Sequence, residues 1–292
     1  MRVPLLIASL LLTSTLGAQG VPRALYVDPP RDAKHPARTA VLHIPSGGVQ
    51  INGVAMVAAG PGAHPTFVFC HGLPGNDKGH DLAQALRRAG WNAITFNYRG
   101  SWGSPGSFGF DHASEDAAAV LAYVRDSANA RTLQIDTSRI VIGGHSMGGW
   151  VAAITASRDA RLRGAVLISA ADIGLVGTMP KSEAVPFMRD NMESLAGGTA
   201  ETFAEDLVSG ASRRRLGDAA KGLARVPMLV LTSDDGLAAH SDSLVAAVRR
   251  LGNTRVATVH AATDHSWSDR RVGLTSAVIR WLDGLPSIGR AR

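Results

Sequence analysis

The sequence predicts an α/β protein with a mainly parallel, twisted sheet and helices on both of its faces. Three observations predict this fold class. Short apolar segments typical of buried strands alternate with longer helix-like segments along most of the chain. One strand-like segment, residues 139–142, runs into a Gly-rich turn and then into small residues, 150–156, typical of a helix packed on a sheet. The chain of 292 residues, 45% of them hydrophobic, is long enough for one large core.

The strand-like and helix-like segments follow one another in a regular order. The predicted strands are 40–45, 49–58, 66–70, 93–96, 139–142, 165–168, 226–232 and 256–260. The first two form a hairpin with Ser46-Gly47-Gly48 as its turn. The predicted helices are one near 79–89 that ends at Gly90, one from Asp111 to Asp126 with Asp111 and Ser114 as candidate caps, and 150–156. Residues 172–222 interrupt the alternation with helical but irregular content, and Pro180, Pro186 and Gly197-Gly198 are its expected breaks.

The turn after strand 139–142 contains the pattern Gly-x-Ser-x-Gly, at Gly144, Ser146 and Gly148. In this context the strand delivers the serine, and the two glycines leave the turn free of side-chain clashes. The hydroxyl is then exposed at the end of the sheet. Because a serine hydroxyl is a poor nucleophile at neutral pH, it needs a base within hydrogen-bond reach and an acid to orient that base.

A carboxylate and an imidazole follow later strands in the order that such a site requires. Asp234 and Asp235 come just after strand 226–232, and His265 lies in a small polar loop after strand 256–260. Both positions are just past the carboxyl ends of strands, where open α/β sheets bind ligands. We predict His265 as the base and Asp235 as the orienting acid, with Asp234 as the alternative. His260, within a strand pattern, is expected to be a partly buried histidine with satisfied hydrogen bonds.

From about residue 40 to the C-terminus, the chain resembles the α/β-hydrolase family. The residues that carry the resemblance are Gly144-His145-Ser146-Met147-Gly148, His71-Gly72 after a strand, Asn97-Tyr98-Arg99-Gly100, Asp235 and His265. Within the family the chain is most similar to esterase- or peptidase-type serine hydrolases, the serine aminopeptidase-like or dienelactone-hydrolase-like group. The resemblance implies an α/β-hydrolase fold and a triad of Ser146, Asp235 and His265. It favours Asp235 because the family's acid follows a Gly-x-x-Asp turn, and here Thr232 replaces the glycine.

The same resemblance implies the groups that would stabilise the oxyanion formed when Ser146 attacks a carbonyl. One donor is the backbone N–H of Met147, directly after the nucleophile. The second is the backbone N–H of Leu73, in the loop after strand 66–70. Pro74 has no N–H and cannot serve. His145, beside the nucleophile, resembles a family packing position rather than a second base.

The resemblance also implies that residues 172–222 form a small helical cap over the site. We expect the substrate-binding side chains to include Trp102, Phe187 and Met188, and the cap's pocket candidates extend to Met179, Met192 and Phe203. Each cap candidate could equally fill the cap's own core. Trp102, in a loop rich in Gly, Ser and aromatic residues at 99–110, could equally be a packing anchor.

The N-terminus reads as a secretory signal peptide over residues 1–20. Met1-Arg2 supply a positive start, Leu5 to Leu16 are apolar, and cleavage is expected near Ala18 or Gly20. The apolar stretch is shorter than the roughly 20 residues of a membrane span, so no stable span is expected, and an uncleaved anchor is the alternative. We therefore expect a periplasmic or secreted protein, with residues 21–292 as one hydrolase domain.

Composition bounds the possible partners. The net charge of +6 is carried mainly by scattered arginines, and no nucleic-acid module accompanies them, so no nucleic-acid partner is expected. The tight run Arg213-Arg214-Arg215 is interpreted as a solvated helix face. His-Glu-x-x-His and Cys-x-x-Cys patterns are missing, and no metal site or cofactor is expected. The single cysteine, Cys70, falls in a strand and is expected to pack as a small hydrophobe.

Taken together, the sequence predicts a hydrolase that cleaves an ester or related acyl bond of a small molecule through an acyl-enzyme. An aminopeptidase or amidase would use the same triad, and an acyltransferase would replace water with an alcohol. A non-catalytic binding protein with this fold is the alternative from a different class. It would be expected to lack a triad member or to have a blocked oxyanion site.

Overall fold

The computed structural model describes residues 20–286. The predicted signal peptide therefore lies outside the described residues, except for Gly20. One eight-stranded sheet forms the centre of the protein. Its strands are β1 Arg38–Ser46, β2 Val49–Val57, β3 His64–Cys70, β4 Asn92–Phe96, β5 Ile135–His145, β6 Gly164–Ile168, β7 Met228–Ser233 and β8 Val256–Ala261. The predicted mainly parallel sheet is confirmed.

Ten α-helices are found among the described residues. They are α1 His80–Arg88, α2 Phe110–Arg125, α3 Ser127–Thr132, α4 Met147–Arg158, α5 Ile173–Val176, α6 Lys181–Asp190, α7 Ala200–Ser209, α8 Ala220–Leu223, α9 Ala238–Arg250 and α10 Arg271–Asp283. Helix α6 continues through Pro186, which was expected to break it. No helix in residues 20–286 has the length and apolarity that crossing a membrane would need.

The strand order places the central strands where a ligand site is expected. The order is β1-β2-β4-β3-β5-β6-β7-β8, and every pairing from β4 to β8 is parallel. The chain leaves β3 to form β4 on one side and then crosses to form β5 on the other. The carboxyl ends of β3 and β5 therefore flank a crevice at which the direction of winding reverses, the usual ligand position in open α/β sheets.

Two hydrophobic layers cover the two faces of the sheet. One contains apolar residues of α2, α4 and α9, and the other contains those of α1 and α10. The small side chains of α4, such as Ala152 and Ala153, are fully buried and let this helix lie close to the strands. Cys70 is buried in β3, as expected for a small hydrophobe, and burial raises the pKa of its thiol.

The antiparallel hairpin of β1 and β2 turns at Gly47 and Gly48, as predicted. Both glycines have positive φ, +53° and +81°, which suits a tight turn between twisted strands. A buried ion pair fixes the hairpin to the helix layer. The Arg99 Nε donates to Asp116 Oδ1 at 2.6 Å, and the same carboxylate oxygen accepts from Ser46 Oγ at 2.5 Å. Asp116 is fully buried, and its other oxygen accepts from the backbone N–H of Arg99 at 2.7 Å.

Helix α2 begins within one residue of the predicted start, but its cap is different. Neither Asp111 nor Ser114 caps it. Gly109 occupies the N-cap position, and the N–H of Phe110 donates to Asp206 Oδ2 of helix α7 at 3.1 Å. A residue 96 positions later in the chain thus satisfies this backbone donor. Asp111 is free to bind other partners.

The interpretation of Arg213-Arg214-Arg215 as a solvated helix face was wrong for Arg214. Its side chain is 1% exposed and donates to Asp111 Oδ1 and to Asp206 Oδ1, at 2.8 and 2.6 Å. The hydrogen bonds from Arg214 are the main reason that the pKa of Asp111 falls to about 2. Because the folded-state pKa is depressed, the stabilisation is present above the ordinary pKa of an aspartate and is lost as the pH falls towards 2. Arg214 thus fastens residues 172–222, called the insertion below, to helix α2.

Replacing Arg214 with Met is expected to destabilise the protein by about 1–3 kcal/mol. The change leaves Asp111 and Asp206 without their shared partner, and the cost is below that of a fully buried pair because both carboxylates reach water. Arg213→Met is the matched control, since Arg213 also binds Asp111 but its side chain is 54% exposed. That variant should lose about 0.5 kcal/mol or less. Urea unfolding measures both, and equal losses would contradict the anchoring role of Arg214.

Candidate active site

Ser146 lies at the turn between strand β5 and helix α4, in the conformation that the Gly-x-Ser-x-Gly pattern predicts. Its φ is +57° and its ψ is −122°, a region that non-glycine residues rarely adopt. Its N–H donates to the carbonyl of Ile168 at the end of β6, at 3.0 Å. The neighbouring strand and the helix hold the serine in this conformation. Such strain costs on the order of 1–3 kcal/mol and persists where the surroundings over-determine it.

The two glycines of the pattern allow the turn to pack without space for a side chain. A Cβ added at Gly144 would lie 2.1 Å from the carbonyl oxygen of Gly148. A Cβ added at Gly148 would lie 2.0 Å from the carbonyl oxygen of Cys70, at the end of β3. Both contacts are with backbone, which cannot move aside cheaply. The turn is thereby pressed against the strand that precedes the predicted oxyanion loop.

The structure brings Asp235, and not Asp234, to His265. The Nδ1 of His265 lies 2.7 Å from Asp235 Oδ2, and the Asp235 side chain is 3% exposed. Asp234 points to the other side, where its Oδ1 lies 3.1 Å from His260 Nε2 and its side chain is 63% exposed. The other ring nitrogen of His260 contacts Thr232 Oγ1 at 3.0 Å. His260 has satisfied hydrogen bonds as expected, but it is exposed rather than partly buried.

Polar groups around Asp235 keep its carboxylate charged. Burial by itself would raise the pKa of Asp235, but hydrogen bonds from His265, the N–H of Leu237, Ser169 and Ser233 outweigh it, and the pKa lies below its usual value. The hydroxyls of Ser169 and Ser233 are 2.8 Å apart, and Ser169 Oγ accepts from the indole N–H of Trp267 at 3.1 Å. The Asp235 carboxylate is therefore ionised at neutral pH.

His145 holds the loop that carries His265. Its Nε2 lies 2.8 Å from the carbonyl oxygen of His265, so this nitrogen carries the proton, and the two rings are 4.5 Å apart. Burial and the neighbouring His265 lower the pKa of His145 to about 4. His145 is therefore neutral at pH 7 and acts as a hydrogen-bond donor. The expectation that it is not a second base agrees with these contacts.

Ser146 and His265 line the same cavity, although no hydrogen bond joins their side chains in the described structure. Hydrogen bonds of catalytic groups are often long without substrate and shorten in the complex. Asp235 contacts Nδ1 of the His265 imidazole. The other ring nitrogen, Nε2, is therefore left for the Ser146 hydroxyl or for a leaving group. This arrangement can move a proton from a hydroxyl to an imidazole and back.

The loop after β3 passes directly beside Ser146. A Cβ added at Gly72 would lie 3.1 Å from the Cβ of Ser146, and Leu73 and Met147 line the cavity together with Ser146. The buried side chain of His71 contacts the backbone of this loop. Its Nδ1 lies 2.7 Å from the carbonyl of Gly72, and its own carbonyl accepts from the hydroxyl of Tyr98 at 3.0 Å. The two predicted oxyanion residues, Leu73 and Met147, thus line the same cavity as Ser146.

The cavity has a volume of about 310 Å³ and a mostly apolar wall. Its lining residues are Leu73, Phe110, Ser146, Met147, Ala171, Ile173, Val176, Phe187, Asn191, Leu207, Asp235, Leu237 and His265. Five of them belong to the insertion, namely Ile173, Val176, Phe187, Asn191 and Leu207. Ala171 directly precedes the insertion. Asp235 is the one carboxylate among the described lining residues, and it already binds His265.

Of the three predicted substrate-binding residues, Phe187 lines the cavity and the other two do not. Met188 is fully buried in the hydrophobic core, because successive residues of helix α6 point in different directions. Trp102 is half-buried beside the cavity loop, where its indole N–H donates to the carbonyl of Pro74 at 2.6 Å. Met179, Met192 and Phe203 pack against or within the same core.

Sequence reasoning missed several residues that shape the site. Ser169 follows strand β6, which lies between the strands that precede Ser146 and Asp235, and this position at a strand end was a usable signal. Trp267, two residues after His265, and Asn191, in the insertion, carried no comparable signal. Within residues 20–286, no group of three or more His, Cys, Asp or Glu side chains is arranged to hold a metal ion.

Comparison with known proteins agrees with this architecture. Residues 65–221, just over half of the chain, match the family model described as alpha/beta hydrolase fold. An Escherichia coli protein described as an uncharacterized 31.7 kDa protein in the traX-finO intergenic region is 29% identical over 130 residues. These residues are 43% of this chain and 45% of that protein, so the match spans less than half of the curated relative.

Solved structures of hydrolases have similar folds. A hyperthermophilic esterase from Pyrobaculum calidifontis superposes with a TM-score of 0.61 at 20% identity, over 85% of this chain and 86% of the esterase. A Pyrococcus horikoshii acylaminoacyl peptidase gives a TM-score of 0.62 at 16% identity, over 87% of this chain and 43% of the peptidase. At such identities the likeness shows the fold.

Proposed function

Because the chain belongs to the alpha/beta hydrolase family, we propose that it is a serine hydrolase that cleaves esters with neutral, apolar acyl groups. One observation carries the proposal: the strained Ser146 and the hydrogen-bonded pair of His265 and Asp235 open onto one apolar cavity. The similarity to an esterase and to an acylaminoacyl peptidase supports a hydrolase.

The proposed reaction has two steps. Ser146 Oγ attacks the ester carbonyl while His265 Nε2 accepts the hydroxyl proton, and Asp235 stabilises the resulting imidazolium. The N–H groups of Leu73 and Met147 donate to the oxyanion. The imidazolium then gives its proton to the leaving alcohol as the bond from carbonyl carbon to alcohol oxygen breaks. Water, deprotonated by His265, attacks the acyl-enzyme, and Ser146 recovers its proton as the acid is released.

The cavity supports a neutral acyl group of moderate size. At roughly 30 Å³ per group the size of a water molecule, a volume of about 310 Å³ holds on the order of ten non-hydrogen atoms. Burial of an unpaired charge in an apolar wall is costly. An aminopeptidase needs a partner for the substrate's ammonium, and the one carboxylate on the described wall is held by His265. The ester reading is therefore favoured over the aminopeptidase reading.

The proposal includes export of the protein, directed by residues 1–20 as a signal peptide. It also includes a role of the insertion as a cap over the cavity. The insertion supplies Phe187, Asn191 and Leu207 to the cavity wall, which is what a cap that selects substrates would do. The signal peptide rests on the sequence pattern of residues 1–20 alone.

A panel of p-nitrophenyl esters tests the proposed substrate class. We expect kcat/KM to be highest for acyl chains of about four to eight carbons and at least about tenfold lower for a sixteen-carbon chain, because the cavity volume is limited. The 6-aminohexanoate ester, which adds an ammonium to the hexanoate ester, should be about 100-fold poorer than hexanoate. Faster cleavage of alanine p-nitroanilide than of the hexanoate ester would favour an aminopeptidase instead.

A further inference from the structure

A short segment of the insertion pairs with the loop that follows strand β4. The N–H of Trp102 donates to the carbonyl of Ser194 at 2.9 Å, and the N–H of Ala196 donates to the carbonyl of Gly100 at 2.8 Å. Ser101 and Leu195 form an isolated antiparallel bridge between them. Residues 194–196 and 100–102 therefore form one hydrogen-bonded strip, called the strip below.

Two side chains of the strip converge on a single backbone atom of the loop after β3. The indole N–H of Trp102 donates to the carbonyl oxygen of Pro74 at 2.6 Å, and the hydroxyl of Ser194 donates to the same oxygen at 3.0 Å. A carbonyl oxygen has two lone pairs and can accept both bonds. The two donors come from segments 92 positions apart in the chain, yet they hold one acceptor.

Trp102 and the loop that carries the acceptor are each held by further contacts. Trp102 has a φ of +48°, unusual for a residue other than glycine, and the Lys78 ammonium lies 4.4 Å from the centre of its ring. On the loop side, a Cβ added at Gly75 would lie 2.2 Å from Nδ1 of His71, so the chain folds tightly over that imidazole. The peptide groups between His71 and Gly75 therefore have little freedom once the Pro74 carbonyl is fixed.

We propose that Trp102 and Ser194 are positioning residues, which aim the backbone N–H of Leu73 at the oxyanion by holding the carbonyl of Pro74. The inference rests on the proposed serine-hydrolase function. It assigns to Trp102 a role different from the substrate contact predicted from the sequence. It also couples the insertion to the chemistry, since Ser194 belongs to the insertion and Leu73 belongs to the wall beside Ser146.

The test uses the full chain with Trp102→Phe, Ser194→Ala and the double variant. Loss of an oxyanion donor costs about 10²–10³ in kcat, and a donor that is only loosened should cost less. We expect each single variant to lower kcat for the hexanoate ester about fivefold and the double variant about 100-fold, with KM within about twofold. The double loss exceeds the product of the single losses because each single variant leaves one donor on Pro74. Ser194→Thr keeps the hydroxyl and should restore the wild-type rate.

A second readout separates positioning from a structural role. A trifluoromethyl ketone that adds to Ser146 forms an oxyanion, so its inhibition constant should rise in parallel with the fall in kcat, while thermal unfolding changes little. The matched control for Trp102→Phe is Trp91→Phe, a buried tryptophan of the hydrophobic layer that contains α1 and α10. The matched control for Ser194→Ala is Ser104→Ala, whose hydroxyl donates to the carbonyl of Asn97. Neither control should alter kcat or inhibition.

The possible outcomes distinguish the inference from the function on which it rests. Unchanged kcat and inhibition in the double variant, with an active wild type, would overturn the positioning role and leave the hydrolase proposal standing. A raised KM with unchanged kcat would overturn it too, because that result marks a substrate contact. If the wild type hydrolyses no ester and reacts with no fluorophosphonate, both proposals fail. Should Trp102→Phe not fold, Ser194→Ala and Ser194→Thr decide the question.

Discussion

Ser146→Ala is expected to lower kcat for a short p-nitrophenyl ester by about 10⁴- to 10⁶-fold, which leaves only the rate from binding and oxyanion stabilisation. The hydroxyl at the strained turn is the one group on the cavity wall that we assign as nucleophile, and alanine cannot form an acyl-enzyme. Labelling by a fluorophosphonate should disappear in the same variant, because the probe forms a covalent bond with that oxygen.

A serine of helix α4, the helix that follows Ser146, provides the control for this experiment. Ser157 lies at the end of α4, where its hydroxyl donates to the carbonyl of Ile154, and it does not line the cavity. Ser157→Ala should therefore be labelled and should hydrolyse the ester at the wild-type rate. Full labelling of Ser146→Ala would refute the assignment of the nucleophile and, with it, the serine mechanism.

Asp235→Asn is expected to lower kcat by about 10⁴-fold with little change in KM, since an amide holds the imidazole in the wrong tautomer. The carboxylate accepts from His265 Nδ1 and so leaves Nε2 unprotonated and able to take the serine proton. An asparagine can present an N–H to Nδ1, and the proton then moves to Nε2. The wild type should show no loss of activity from protonation of Asp235 in mildly acid solution, because its pKa lies below the usual value.

The neighbouring carboxylate offers a matched control for this variant. Asp234→Asn removes the same charge one residue away, but Asp234 is exposed and bound to His260. Its kcat should stay within about twofold of the wild type, as is usual for surface substitutions away from the site. Steady-state kinetics of both variants show which of the two carboxylates, Asp234 or Asp235, is needed for activity. An equal loss in both would show that charge near the cavity matters, rather than the hydrogen bond of Asp235.

The strand ends that carry the site were predictable from the sequence, whereas the directions of side chains were harder to predict. Strand β7 is a local apolar pattern, so its end could be predicted. Asp234 and Asp235 directly follow that end in the sequence. Whether Asp234 or Asp235 faces His265 is set by the bend that follows β7 at Ser233, where the N–H of Asp234 donates to the carbonyl of Thr263 at 3.1 Å. The resemblance to a family turn favoured Asp235, and the structure shows that residue on His265. The turn at Gly144, Ser146 and Gly148 was the clearest feature, since its close backbone contacts require glycine at fixed places.

The residues of the insertion could not be assigned in this way. Phe187 and Met188 are adjacent and similarly apolar, and only the way that α6 packs on its neighbours turns one to the cavity and the other to the core. Trp102 was expected to bind substrate, but its indole donates to the carbonyl of Pro74, and its backbone pairs with Ser194, 92 residues further on. The burial of Arg214 depends in the same way on Asp111, which is distant in sequence.

The contacts of Gly144 and Gly148 bear on how this protein can evolve. Every single-nucleotide missense change in a glycine codon introduces a residue with a Cβ, and at these two positions that atom would meet a backbone carbonyl at about 2 Å. We therefore expect almost every substitution of Gly144 or Gly148 to be selected against. Apolar residues of the insertion that line the cavity, such as Phe187 and Leu207, already carry a Cβ, so this restriction does not apply to them. We therefore expect substitutions of these residues to be tolerated more readily than substitutions of Gly144 or Gly148.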